Sequence, residues 1–142
     1  MSYFIATCKY EKTQENGAVK RVSEKYLCDA LSIVEANAVV TENLKPYISG
    51  DFFTSKVENS PIAEVMGDKE ADKFYLAKVA FIAIDERTAK EKRTVSQWLI
   101  GGTDFNDAYE TVLREFNKSM ADCELVSLTE SKIVEYYPHN NE

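Results

Sequence analysis

The apolar residues of this chain follow one pattern twice, over residues 3–66 and again, about 71 residues later, over 74–137. The first segment of each copy carries an apolar residue at every second position, which is typical of a strand with one buried face. These positions are Phe4, Ala6, Cys8 and Tyr10 in the first copy and Tyr75, Ala77, Val79 and Phe81 in the second. After a one-residue insertion, residues 26–28 are matched by 98–100. The pattern predicts an internal duplication.

A helix is predicted after the two strands of each copy. Its apolar residues recur at i, i+3, i+7 and i+11, a spacing that lines one side of an α-helix. They are Ile33, Ala36, Val40 and Leu44 in the first copy and Phe105, Ala108, Val112 and Phe116 in the second. Ser32, with Glu35 three residues later, and Asp104, with Asp107, are predicted caps because their side-chain oxygens can accept from free backbone N–H groups.

Extended segments are predicted to close each copy. The corresponding residues are Asp51, Val57, Ser60, Ile62 and Glu64 in the first copy and Asp122, Leu128, Ser131, Ile133 and Glu135 in the second. A last short strand is expected after Pro61 and after Ser131. The predicted fold class is α+β, with two ββαβ(β) units whose two helices pack on antiparallel sheet about a pseudo-twofold axis.

The length of 142 residues and the 44% apolar content suit one domain with one core. Each half alone would be marginally stable, because so short a chain buries little apolar surface. We therefore predict a single domain over 1–142, with repeat one at 3–66, a charged linker at 67–73 and repeat two at 74–137.

The three cysteines, Cys8, Cys28 and Cys123, form no close pair in sequence, and two of them replace aliphatic residues of the other copy. They are predicted to be small core residues of a reduced protein. The N-terminus lacks a basic leader, and no apolar run approaches the ~18 residues of a membrane span. A cytoplasmic protein without a membrane partner is expected.

The net charge of -7 disfavours general polyanion binding, because cations that neutralise phosphates supply most nonspecific nucleic-acid affinity. Lys90, Lys92 and Arg93 cluster at the predicted second hairpin turn, with Lys20 and Arg21 at the equivalent place. Two interpretations stay open: a local basic patch, or two solvated hairpin ends, which the charge pattern favours.

Catalytic chemistry has little support in the sequence. The single histidine, His139, lies in a polar tail where nothing is expected to hold it as a general base or metal ligand. The Gly101-Gly102 pair precedes a helix but lacks the Lys-Ser of a phosphate loop, so a strand-to-helix turn is favoured. We predict no enzyme, no catalytic residue, no cofactor and no metal.

Glu64 and Glu135 occupy matched positions, so they could face each other across a pseudo-twofold axis as paired carboxylates. The favoured interpretation places both on the exposed side of an edge strand, where charge discourages aggregation.

The strand aromatics Tyr10, Tyr26, Phe81 and Trp98 could stack on single-stranded nucleic acid. Their phase matches that of the buried alanines and valines, which favours the core. The adjacent residues at 136–137 must point to opposite faces of their strand, so one of the two tyrosines is expected to look outward.

The run EKYLCDALS at 24–32, the ISGDF turn at 48–52 and the IAEV strand at 62–65 resemble a domain-of-unknown-function family of Bacteroides-type gut bacteria and their phages or mobile elements. The similarity covers nearly the whole chain. It implies a cytoplasmic protein of uncharacterised role, and it supplies no catalytic or binding residue.

These observations favour a non-enzymatic protein-binding or adaptor module, whose acidic surface would suit a basic protein partner. The alternative is a single-stranded nucleic-acid-binding accessory protein, and a homodimer through a strand edge stays open. The candidate binding surface consists of Lys90, Lys92, Arg93, Trp98, Tyr136, Glu64 and Glu135. A buried Trp98 would favour the adaptor, and an exposed one the nucleic-acid binder.

Overall fold

A computed structural model describes residues 2–48, 51–119 and 121–139 of the chain. Within them lie eight strands and two helices, which confirms the predicted α+β class. The chain divides into two compact units. Unit 1 comprises Met1–Ser60 and Lys132–Glu142, and unit 2 comprises Pro61–Ser131. Unit 2 is therefore one continuous stretch, whereas unit 1 is built from both ends of the chain.

Unit 1 consists of a four-stranded sheet with one helix on it. Its elements are β1 Ser2–Thr13, β2 Val19–Ala30, α1 Ile33–Leu44, β3 Phe52–Asn59 and β8 Ile133–Tyr137. The strand order is β3-β1-β2-β8. Helix α1 packs Ala36, Val40 and Leu44 against the alternating apolar residues of β1 and β2, and these residues form the core of the unit.

Unit 2 has a sheet and a helix of the same kind. Its elements are β4 Ile62–Gly67, β5 Lys73–Ile84, β6 Glu91–Gly102, α2 Phe105–Lys118 and β7 Asp122–Glu130. The strand order β4-β6-β5-β7 places the two long strands in the centre, as in unit 1. Ala108 and Val112 of α2 join Trp98 and Ile100 of β6 in the core. Neither helix among the residues that the structure describes is long and apolar enough to cross a membrane.

The sheets are mixed, so the prediction of antiparallel sheet is wrong for one strand pair in each unit. Strand β8 pairs parallel with β2, and β4 pairs parallel with β6. Strands that are adjacent in sequence commonly pair. Here β4 follows β3 directly yet belongs to the other sheet, and β8 follows β7 in the same way. Each copy of the sequence pattern thus gives its last strand to the other unit.

Both predicted helix caps are confirmed. The Ser32 hydroxyl accepts from the Glu35 backbone N–H at 3.2 Å, and the Asp104 carboxylate accepts from that of Asp107 at 2.8 Å. Each contact satisfies a backbone donor that the first turn of a helix leaves without a partner. The two helices therefore begin where the sequence places them.

The charged segment at 67–73 forms a packed turn between β4 and β5 of unit 2. The Asp68 N–H donates to the Gly101 carbonyl at 3.0 Å, and a Cβ atom at Gly101 would overlap the Asp68 carbonyl oxygen. Gly67 has φ 77, a backbone conformation that favours glycine. The Asp68 carbonyl fills the space beside Gly101, and the Asp107 carboxylate lies beside Gly102, so the pair packs closely against protein atoms at this strand-to-helix turn.

Edge strands β3 and β7 each carry one extra residue opposite the neighbouring central strand. The register shifts between Thr7 and Cys8 in unit 1 and between Lys78 and Val79 in unit 2. The extra residues are Ser55 and Val126. Bulges of this kind bend a strand and interrupt its ladder, which makes an edge a poorer template for another strand.

Candidate functional site

Two residues of the predicted binding surface are buried. Trp98 is 7% exposed and Tyr136 is 8% exposed, so neither ring is presented to a partner. Trp98 packs against Phe81 and Phe116, with ring centroids 6.0 Å and 5.9 Å away. Their placement on a binding surface is thereby corrected, because the alternation of β6 and β8 turns both side chains inward.

The basic residues Lys90, Lys92 and Arg93 are exposed near the β5–β6 turn of unit 2. Arg93 Nη1 lies 2.9 Å from Glu124 Oε2 on the neighbouring strand β7. An exposed ion pair of this kind contributes little to stability, but it reduces the positive charge that the cluster offers to a ligand.

Glu64 and Glu135 lie on the edge strands β4 and β8, one in each unit, and both are exposed. The Glu135 carboxylate is hydrogen-bonded to the hydroxyl of Tyr137. Within the described part of the chain, no three His, Cys, Asp or Glu side chains come together to hold a metal ion.

His139 has a partner that the sequence did not predict. Its Nε2 lies 2.8 Å from Glu35 Oε1 in the first turn of α1, and both side chains are partly buried. The expectation that nothing would hold His139 is therefore wrong, because β8 returns the C-terminal segment to unit 1.

Helix α2 exposes three large apolar side chains in line, which we call the α2 stripe. Phe105, Tyr109 and Leu113 are 49%, 40% and 38% exposed and follow one another at i, i+4 and i+8. The Phe105 ring stacks on that of Tyr109 at 6.4 Å and meets buried Tyr75 edge-on at 6.4 Å. These contacts hold the aromatic pair in a fixed position on the surface.

Helix α1 lacks such a stripe. Ile33 is exposed like Phe105, but Asn37 and Thr41 stand at the places of Tyr109 and Leu113. Sequence reasoning missed the α2 stripe because it assigned Phe105 to the buried side and did not follow the four-residue spacing onward. That spacing is the signal that could have revealed it.

A groove of about 610 Å³ crosses β1, β2 and β3 of unit 1, at the ends of these strands where polar residues predominate. Half of the residues that line it are charged, two of each sign, and two are aromatic. They are Lys9, Tyr10, Glu11, Arg21, Val22, Ser23, Asp51 and Phe53. Sequence reasoning missed Phe53, although the adjacent pair at 52–53 required one ring to face away from the helix.

On the helix side of the same strands, two tyrosines share one carboxylate. The Tyr10 hydroxyl donates to Glu24 Oε1 at 2.9 Å, and the Tyr26 hydroxyl donates to Glu24 Oε2 at 2.6 Å. Tyr137 stacks on Tyr26 with ring centroids 5.9 Å apart. We call these four residues the tyrosine cluster.

Phenol ionisation is suppressed throughout the tyrosine cluster. Burial, followed by the hydrogen bond to Glu24, raises the pKa of Tyr10 to about 12 and that of Tyr26 further. Burial and the hydrogen bond to Glu135 raise the pKa of Tyr137 in the same direction. These phenols are thus protonated hydrogen-bond donors at neutral pH, so the arrangement is structural rather than nucleophilic.

A family model described as "Domain of unknown function (DUF4494)" matches residues 2–139 of the chain. A search of the curated proteins found no match.

Proposed function

The chain belongs to the DUF4494 family of unknown function, and we propose that it is a non-enzymatic protein-binding module that uses the α2 stripe. The observation that carries this proposal is the ordered row of Phe105, Tyr109 and Leu113 on the surface of unit 2. Large apolar side chains that stand in line on an exposed helix lose contact with water when a partner covers them, which favours association.

The chemistry of the stripe fits a protein partner. Tyrosine is enriched among residues that dominate binding energy, because its ring gives contact area and its hydroxyl gives a hydrogen bond. The first two turns of α2 also carry Asp107 and Glu110, and Asp104 caps the helix. Together with the net charge of -7, these carboxylates favour a partner whose apolar ridge is bordered by Lys or Arg.

The contact mode follows from the spacing of the stripe. Residues at i, i+4 and i+8 of a helix form a straight apolar ridge about 12 Å long, since each residue rises 1.5 Å. A groove or a second amphipathic helix in the partner would accept such a ridge. Helix α1 offers no equivalent, so the proposal predicts that one unit of the two carries the contact.

Affinity purification from the native host, with and without nuclease, tests this function. The tagged protein is compared with a variant that carries Tyr109→Ser and Leu113→Ser. The control carries Ile33→Ser and Val34→Ser, which remove two exposed apolar side chains from α1. We expect one nuclease-resistant basic protein to be retained by the wild type and the control and lost from the α2 variant. Equal capture by all three proteins would contradict the proposal.

The nuclease arm tests the alternative of a single-stranded nucleic-acid-binding accessory protein. The sheet aromatics Trp98 and Tyr26 do not support that function, because both are buried. The loss of a co-purifying component on nuclease treatment would favour it. The association with phages or mobile elements that the family resemblance implies stays a prediction, as does a cytoplasmic location.

We also infer that the two halves arose by duplication. The strand orders, the two bulges and the two helix caps support this inference, because they recur at the same places in each half. The Ser60 N–H donates to the Tyr3 carbonyl, and the Ser131 N–H donates to that of Phe74 at the corresponding position. The pseudo-twofold axis, the single domain over 1–142 and the homodimer stay predictions.

A further inference from the structure

The face of the unit 1 sheet that lies opposite α1 carries an ordered grid of polar side chains. Paired residues of neighbouring strands point to the same face. Phe53, Lys9 and Ser23 stand side by side across β3, β1 and β2, and the next row along the strands contains Lys56, Thr7 and Lys25. Arg21 is paired with Glu11 in the row on the other side. We call these three rows the basic face, and the groove described above lies along two of them.

Two lysines of the basic face can offer their positive charge to a ligand. Lys9 and Lys25 make no ion pair within the described residues, and both are exposed. They are diagonal neighbours, so their ammonium groups can reach the same ligand. Lys56 Nζ lies 3.2 Å from Glu58, and Arg21 Nε lies 3.8 Å from Glu11, both as exposed pairs that a stronger anion can displace.

Phe53 supplies a flat apolar surface at the edge of the basic face. It is 61% exposed and stands opposite Lys9 on the edge strand β3. An exposed aromatic ring on a sheet, next to cations, is the arrangement on which nucleic-acid bases stack, because every base has a π-face. The hydroxyl of Ser23 completes the row.

The carboxylates of Asp51 and Glu11 also line the groove, with Arg21 opposite Glu11. They oppose an extended polyanion, yet they can accept hydrogen bonds from ribose hydroxyls or from the amino group of a base. The groove and the neighbouring row that contains Lys25 therefore combine cations, an exposed aromatic ring and hydrogen-bond acceptors. These are the chemical groups that can bind the phosphate, the ring and the hydroxyl or amino groups of a nucleotide.

Unit 2 has the same strand order as unit 1 but does not carry the basic face. Glu124 stands at the place of Phe53, and buried Ala80 stands at the place of Lys9. Gln97 replaces Lys25, and the remaining arginine of that face, Arg93, is paired with Glu124. The features that suit a nucleotide are thus confined to unit 1, although both sheets have the same strand order.

We propose that the basic face of unit 1 binds a nucleotide, with its phosphate at Lys9 and Lys25 and its base stacked on Phe53. The ligand is a free mononucleotide or one nucleotide of a single strand, which share this chemistry. The site is independent of the α2 stripe, so the protein-binding function and the nucleotide site can fail separately.

Titration calorimetry with adenosine monophosphate, and fluorescence anisotropy with a labelled oligothymidylate, test the proposal. Two variants are compared with the wild type: Phe53→Ser, and Lys9→Glu combined with Lys25→Glu. The control is Lys78→Glu, which places one Lys-to-Glu replacement at an exposed position of unit 2. All the replaced side chains are exposed, so circular dichroism is expected to show native folding in each variant.

We expect the wild type and the control to bind at least one probe, and both unit 1 variants to weaken that binding roughly tenfold or more. Affinity should also fall as salt rises, because the lysines displace counterions. Binding of the monophosphate identifies a free nucleotide, and binding of the oligothymidylate alone identifies a single strand. Failure of the wild type to bind either probe, or affinities unchanged in both unit 1 variants, would overturn the proposal.

Discussion

The two units have the same arrangement of strands and helix but carry different side chains on it. Where unit 1 has Tyr10 and Tyr26 around the Glu24 carboxylate, unit 2 has Phe81 and Trp98 in ring contact, with Ser96 at the position of Glu24. Register, bulges and caps agree between the units while the side chains on both sheet faces differ. Backbone hydrogen bonding thus determines the frame, and side chains on it can change without altering strand order.

The two units also differ on the sheet face opposite the helix and on the helix itself. Unit 1 carries the basic face and has no equivalent of the α2 stripe on α1, whereas unit 2 carries the α2 stripe. Each unit therefore exposes one feature that its counterpart lacks. A single ancestral binding surface used twice would have left the same feature on both.

The largest expected effect tests whether the correspondence between the units is real. Leu27→Asp and Leu99→Asp each place a carboxylate at a fully buried position of β2 or β6. A buried charge without a partner costs on the order of 4 kcal/mol or more, which is comparable with the total stability of a small domain. We expect both variants to lose the cooperative thermal transition. Circular dichroism during heating measures this transition.

The controls for these two variants are Val19→Asp and Val95→Asp, at exposed positions of the same strands. Their unfolding free energy should change by no more than about 0.5 kcal/mol. A native melting curve for Leu99→Asp would show that the two leucines are not equivalent.

The next effect separates the two strand-to-helix regions. Gly101→Ala should destabilise the protein by about 1–3 kcal/mol, because the new methyl group overlaps the Asp68 carbonyl of the packed turn. Asp29→Ala changes the corresponding position of unit 1, where a side chain is already present, and should have a far smaller effect. Urea denaturation measures both. If the two variants had equal midpoints of urea denaturation, the packed turn would not distinguish the two units.

A smaller effect comes from the tyrosine cluster. Tyr26→Phe removes a hydrogen bond to a carboxylate and should cost about 1–3 kcal/mol at neutral pH. In unit 2, Phe81→Tyr would add a hydroxyl at the position that Tyr10 occupies in unit 1. If Tyr26→Phe left the midpoint of urea denaturation unchanged, the shared carboxylate would contribute nothing to unit 1.

The same cluster predicts a pH dependence. Because folding raises the pKa of Tyr10 to about 12, above that of a free phenol, the folded state holds the proton more tightly than the unfolded state. This stabilisation is complete below pH ~10 and is lost as pH rises through about 12. We expect tyrosinate absorbance and the loss of secondary structure to rise together in that range. Tyrosinate formation completed near pH 10 would contradict the raised pKa.

The smallest effect concerns the helix caps. Ser32→Ala and Asp104→Ala each remove the acceptor for a first-turn N–H, and each should cost about 1 kcal/mol. The Asp104 change should be the larger, because its carboxylate also interacts with the helix dipole. Thermal melting at low and high salt separates the two, since salt screens the charge of Asp104 alone.

The α+β class, the helix starts and the core alternation were predictable because each depends on residues close in sequence. Ser32 and Asp104 cap their helices, and Ala36 and Ala108 face the core, as their spacing indicates. The parallel pairing of β4 and β8 was not predictable, since it joins segments far apart in the chain. For the same reason His139 was expected to lie unheld, although it meets Glu35.

The candidate sites were less accessible from the sequence than the fold. The spacing of Phe105, Tyr109 and Leu113 contained the α2 stripe, but sequence reasoning assigned Phe105 to the buried side of the helix and did not follow the four-residue spacing to the other two. The basic face required the register between β1, β2 and β3, which places Phe53 beside Lys9. A local pattern does not contain that register, because three separate segments determine it.

The exchange of β4 and β8 between the units affects how the chain can fold as it is synthesised. Unit 2 is complete once Ser131 has emerged from the ribosome, whereas the sheet of unit 1 lacks one strand until residue 137 has followed. During that interval the outer edge of β2 has no strand beside it. The nascent chain therefore depends on β8 to cover an edge of β2, a strand that is synthesised much earlier. A ribosome that stalls after Ser131 would leave unit 1 open to pairing with another chain.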